Sequence, residues 1–123
     1  MGTSNVNFKV PFTAGEALNT VGHEGVAIAL VDGKVANTGE EATGILSDKP
    51  ANGQHGSMII LGIGKGRAGM TLTPGLRLTV STSGYFTQAY SADFHCARAW
   101  EDITSGSLGP ILFHGAGYYQ ASL

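Results

Sequence analysis

Two stretches of the chain are apolar at every position: Gly25-Val-Ala-Ile-Ala-Leu-Val31 and Met58-Ile-Ile-Leu-Gly-Ile63. Both are too short for ordinary helices and suit buried strands. A strand sends alternate side chains to opposite faces. Each of these runs therefore needs cover on both sides, which a single small sheet with one wet face cannot give. Either the sheet closes on itself or a subunit partner lies against it.

The signals around these runs are those of turns. Asp32-Gly33 precedes Lys34-Val35-Ala36, and Asp-Gly between apolar runs is a strong hairpin signal. Gly44-Ile45-Leu46 leads into Met58–Ile63 through the elbow Asp48-Lys-Pro-Ala-Asn-Gly-Gln54. There Pro50 is expected at the second position of a turn, and Asn52-Gly53 tolerates positive φ. Leu76-Arg-Leu-Thr-Val80 alternates cleanly, as a half-buried strand does. Phe8-Lys-Val-Pro-Phe12 starts with the same period, and Pro11 restricts it to a sheet edge or an isolated extended segment. Met70–Thr73, Tyr85–Thr87 and Ile111–Phe113 are further short strands. Ser105–Pro110 is expected to be a loop. Ser91–Glu101 fits helical spacing through Ala92, His95, Cys96 and Ala99. It fits strand spacing through Phe94, Cys96 and Trp100, and periodicity does not choose between the two.

Nineteen glycines and a charged fraction of 13% agree with many tight turns between short strands and not with disorder, which needs charge. Eight to ten strands at this spacing make an all-β sandwich or small barrel in one domain. A net charge of −2 argues against nucleic acid, which wants a basic face. No apolar run nears the ~20 residues that cross a bilayer. Met1–Asn7 lacks the basic and apolar regions of a signal peptide. The expectation is a soluble domain made in the cytoplasm, with no membrane partner.

No motif carries convincing chemistry. Gly64-Lys-Gly-Arg-Ala-Gly69 matches a dinucleotide fingerprint, but that motif needs a helix to open at once. Met70-Thr-Leu-Thr-Pro74 follows instead, so the segment reads as a β-turn or bulge, with Lys65 and Arg67 as candidate contacts to an acidic surface. His23, His55, His95 and His114 share no ligand spacing. Cys96, the one cysteine, sits among Phe94, Ala97 and Ala99 as a small buried residue. Glu40-Glu41 and Glu101-Asp102 read as solvated loop charge. The expectation is no enzyme, no cofactor and no metal.

Gly44-Ile-Leu-Ser-Asp-Lys-Pro-Ala-Asn-Gly-Gln-His-Gly-Ser57 is similar to a segment of the capsid decoration (cement) proteins of tailed bacteriophages. Ala97-Arg-Ala-Trp-Glu-Asp-Ile-Thr-Ser-Gly-Ser-Leu-Gly-Pro-Ile-Leu112 resembles their closing strand, acidic loop and last strand, and Gly69–Thr79 resembles a strand, turn and strand between them. The resemblance covers about residues 24 to 113. Tyr85–Cys96 is more aromatic than that family, and the tail after Phe113 lies beyond it. The resemblance implies an all-β, single-domain β-barrel or β-tulip with an extended arm, here residues 1–12, ahead of a β-rich domain at 13–123. It implies a structural protein on the outer surface of the expanded head. Its partners would be the major capsid protein and itself, as a homotrimer in preference to a dimer. Asn5, Val6, Phe8, Val10, Phe12, Lys65 and Arg67 are the candidate capsid or subunit contacts. The alternatives are another virion surface module, such as a fibre base or a glycan-binding adhesin carrying Tyr85, Tyr90, Tyr118 and Tyr119, and a small ligand-binding barrel.

Overall fold

The computed structural model describes residues 7–19, 23–37, 42–90 and 95–115. They form β1 (Asn7–Thr13), β2 (Ala27–Ala29), β3 (Lys34–Val35), β4 (Gly44–Leu46), β5 (His55–Arg67), β6 (Arg77–Val80), β7 (Phe86–Gln88), β8 (Ala97–Ala99) and β9 (Leu108–Phe113). A 3-10 turn at Thr82–Gly84 joins β6 to β7. There is no α-helix among the described residues, so the all-β expectation holds.

The strands form one antiparallel sheet in the order β3-β2-β4-β5-β9-β8-β6-β7, with β1 paired to β5. The sheet curls into a half-barrel. Ala68, just past β5, bridges Phe86 of β7, although three strands separate the two in the sheet order. The Gly69 N–H donates to the Phe86 carbonyl at 2.8 Å. On the other side, the Ser83 N–H donates to Asn37 Oδ1 at 3.1 Å, drawing the 3-10 turn toward the β3 end.

Two apolar cores result. One fills the curl with Ile45, Ile59, Leu72, Leu78, Phe86, Ile111 and Phe113. The other lies under β1 and the segment after it, with Phe12, Leu18, Val26, Ile28, Leu46 and Met58. Strands β2, β4 and β5 separate them. Ala27, Ala29, Ile45 and Ile59 point into the first core, and their chain neighbours Ile28, Leu46 and Met58 point into the second. The buried parts of the two runs, Val26–Ala29 and Met58–Ile59, are thus covered on both sides within one chain. Each fully buried Ile or Met gains about 1.5–3 kcal/mol relative to exposure.

β5 is the longest strand. β1 pairs along it from His55 to Gly62, with an irregularity between Phe8 and Lys9 that leaves Ile60 without a partner on β1. β9 pairs with it from Gly62 to Arg67. The Gly-rich segment expected to be a turn or bulge is the second half of this strand. Its glycines serve close packing. A Cβ at Gly64 would stand 2.4 Å from Ile59 Cδ1, and one at Gly66 2.4 Å from Ile111 Cδ1 and 3.1 Å from the Phe86 ring. Gly-Lys-Gly-Arg is therefore a period-2 strand whose inward side chains have been removed.

Four other expectations change in detail. The run Gly25–Val31 is strand only over Ala27–Ala29. Leu30 and Val31 lie in a five-residue turn from Ala29 to Gly33, closed by the Gly33 N–H on the Ala29 carbonyl (3.0 Å), and are exposed. In the elbow the turn runs from Ala51 to Gln54 (3.0 Å), with Gly53 at φ 82, so Pro50 precedes it. The buried Pro50 uses its carbonyl to accept the Leu18 N–H at 2.9 Å. Met70–Thr73 contributes one bridge, Leu72 to Ile103. Ser105–Pro110 is not all loop, because β9 starts at Leu108 and carries Pro110 inside it. The Pro110 carbonyl accepts the Trp100 N–H (3.1 Å) where β8 has ended, so the missing proline N–H faces the frayed end of its neighbour. Pro11 lies as expected in β1, whose one partner among the described strands is β5. Ala97–Ala99 of the unassigned segment is strand; residues 91–94 lie outside the described residues.

Candidate functional site

The core holds no polar or charged residue among those described. What distinguishes this surface is apolar exposure around the long strand. Phe8 on β1 is in register with Leu61 on β5. Paired residues share a face, and these two are 67% and 47% exposed. Further along, β5 borders two clefts. A cleft of about 350 Å³ is lined by Asn7, Lys9, Glu24, Lys49, Ile59 and Lys65, among others. A groove of about 300 Å³ is lined by Ile63, Lys65, Trp100, Leu108 and Pro110, with Glu101 at its side. Lys65 and Leu108 border both, so the two form one continuous face.

The sequence-level contact candidates scatter over this geometry. Asn5 and Val6 lie outside the described residues. Phe8 is open to solvent; Phe12 is buried and Val10 packs against the second core. Lys65 is exposed between the clefts. Arg67 instead clamps the chain's own backbone. Its Nε donates to the Glu24 carbonyl and its Nη1 to the Gly106 carbonyl, both at 2.9 Å, and its guanidinium stands 6.0 Å from the Tyr85 ring centroid. Lys49 and Glu24 form an exposed ion pair at 3.9 Å, which contributes little to stability.

Trp100 and Leu108 were not among those candidates. The signal for Trp100 was in the alternation Ala97-Arg98-Ala99-Trp100, where alanines fill the inward positions and the large residues are left outside. Ala97 and Ala99 are buried and Trp100 is 51% exposed. Of the other aromatics, Tyr85 packs on the second core, Tyr90 is exposed, and Tyr118 and Tyr119 lie outside the described residues.

At the other end of β8 and β9 the fold joins two histidines that are 19 positions apart in sequence. His95 Nε2 and His114 Nε2 are 3.2 Å apart. Their rings meet edge to face, with centroids at 4.6 Å and an interplanar angle of 77°. Desolvation, followed for His95 by His114, Arg98 and Arg77, lowers the pKa of that ring. Desolvation and then Arg98 lower that of His114. The residue after His95, Cys96, is buried in the first core, as expected. Its thiol lies 3.6 Å from the Leu78 carbonyl, and burial pushes its pKa up to about 12, so it stays a thiol at neutral pH.

No protein-family model matches the chain, and no curated protein matches it. Among solved structures it is similar to the N base of the head fiber gp8.5 of bacteriophage phi29. The TM-score is 0.64 at 17% identity, over 91% of this chain and 100% of that one. This is a likeness of fold.

Proposed function

We propose that this chain is a structural domain of a phage virion, seated on the outer surface of the expanded head and tying neighbouring major capsid subunits together. The observation that carries the reading is the fold shared with a head-fiber base over nearly the whole of both chains. The order of turn motifs from Gly44 to Leu112, which resembles decoration proteins, supports it independently. In this reading the chain is not an enzyme. Its work is adhesion, through the face built on β1, β5 and β9, with Phe8, Leu61, Lys65, Trp100 and Leu108 against the shell. Copies assemble with one another, as a trimer in preference to a dimer. Weak contacts repeated over linked copies then add through effective concentration.

The same fold likeness favours a second reading, in which the domain is the foot of a longer surface fibre. Both readings seat it on the head. Purified chain added to expanded heads that lack surface proteins, followed by sedimentation and electron microscopy, tests them together. Saturable co-sedimentation with regular density on the shell is the expected result. A lattice of isolated domains bridging capsid subunits supports the cementing role, and one copy or cluster per capsomer centre supports the fibre foot. No binding to any head, together with binding to a cell-surface glycan, overturns both.

A further inference from the structure

We propose that His95 and His114 form a two-imidazole chelate for a divalent first-row transition ion of the zinc, copper or nickel type. This rests on geometry and is independent of the virion reading. An ion with metal–nitrogen bonds of about 2.0–2.1 Å in tetrahedral coordination holds two ligand nitrogens about 3.3–3.4 Å apart. The two Nε2 atoms stand in hydrogen-bond contact at 3.2 Å, so an ion that displaces the shared proton finds them near the chelating separation once the rings turn to aim both lone pairs at it. The spacing is held by the sheet ladder. Ala97 is in register with Phe113, and the His114 N–H donates to the Cys96 carbonyl at 3.0 Å. Cys96 beneath is buried, so both rings project from a fixed base.

Neutral imidazole is the ligating form, and partial burial with the charges of Arg98 and Arg77 favours it. The same arginines oppose a dication. Among the described residues no group of three or more His, Cys, Asp or Glu side chains gathers around an ion. The described residues thus supply two nitrogens, and a two-nitrogen chelate binds more weakly than a closed four-ligand zinc site. Imidazole donors suit zinc, copper and nickel, and copper binds tighter than zinc on the usual order for divalent ions.

The test is titration of the full chain at pH 7.5 with zinc chloride and then copper sulfate, by calorimetry and by long-range 1H–15N spectra of the histidine rings. The expected result is one zinc ion per chain, with ring-nitrogen shifts at His95 and His114 and none at His23 or His55. His95→Gln and His114→Gln should each weaken binding at least about tenfold, while the His23→Gln/His55→Gln double variant binds as the parent does. No saturable binding, shifts centred on His23 or His55, or an unchanged affinity in either single variant overturns the proposal. Circular dichroism of the variants checks that they fold, and the ring spectra of the parent decide the matter if one does not.

Discussion

The two halves of β5 solve one problem in opposite ways. From His55 to Leu61 the strand is filled: Met58 and Ile59, 1% and 6% exposed, stand back to back in two different cores. From Gly62 to Arg67 it is emptied. Gly64 and Gly66 face the packed side, and Lys65 and Arg67 take the other. The filled half stabilises the fold by burying area. The emptied half lets Ile59, Phe86 and Ile111 come against the backbone, so those side chains contribute the apolar area that the strand does not. A strand that must serve as an inner wall and also present a surface is thus divided along its length.

This difference can be broken by substitution. The largest effect belongs to the filled half. Ile59→Ala and Met58→Ala should each cost about 2–5 kcal/mol in urea unfolding, through lost burial and a residual cavity. A loss within about 0.5 kcal/mol at either site would mean that it is not a packed wall. Next comes the emptied half. Gly66→Ala should cost about 1–3 kcal/mol by overpacking against Ile111 and the Phe86 ring. Gly64→Ala should cost less, since its Cβ meets the movable end of Ile59. A neutral Gly66→Ala would show that the glycine is there for some reason other than close approach. Arg67→Ala should cost about 1 kcal/mol, because it ends two charge-assisted bonds to backbone carbonyls in a partly exposed setting. Lys65→Ala should stay within about 0.5 kcal/mol, as open surface positions do, and should act on binding instead.

A pH series adds a smaller effect far from β5. The His95 and His114 pKa values are lowered in the folded state, so the unfolded chain binds more protons below the ordinary value of about 6.5. Stability contributed by the neutral pair is present above that pH and is lost as pH falls through it toward the folded values. The thermal midpoint should drop between pH 7.5 and 5.5, and the His95→Gln/His114→Gln double variant should flatten the drop. An equal slope in both proteins would remove the pair from the acid response.

Much of this was legible in the sequence. Runs apolar at every position announced strands buried on both faces, Leu76–Val80 announced a half-buried one, and Pro11 announced an edge. The emptied half of β5 was not legible, because glycine is the signature of a turn and also of close packing inside a strand. Only the identity of the facing side chains, Ile111 and Phe86, separates the two meanings. Leu30 and Val31 misled because an apolar residue in a turn looks like one in a strand. The histidine pair was invisible for a third reason: 19 positions separate its members, and only the antiparallel register of β8 and β9 joins them. On the proposed contact face, Phe8 and Lys65 could be named from sequence. Leu61, Trp100 and Leu108 needed the register of β1 with β5 and the groove beside Pro110.

In the proposed function the outer flank of β5 binds the head and does not hold the fold together. The most direct test is the Phe8→Ser/Leu61→Ser double variant, measured for both unfolding midpoint and binding to expanded heads. The expected result is a midpoint lowered by a few degrees at most, since Phe8 is two-thirds and Leu61 about half exposed, and head affinity reduced at least about tenfold. Unchanged head affinity in a variant that folds normally would contradict it.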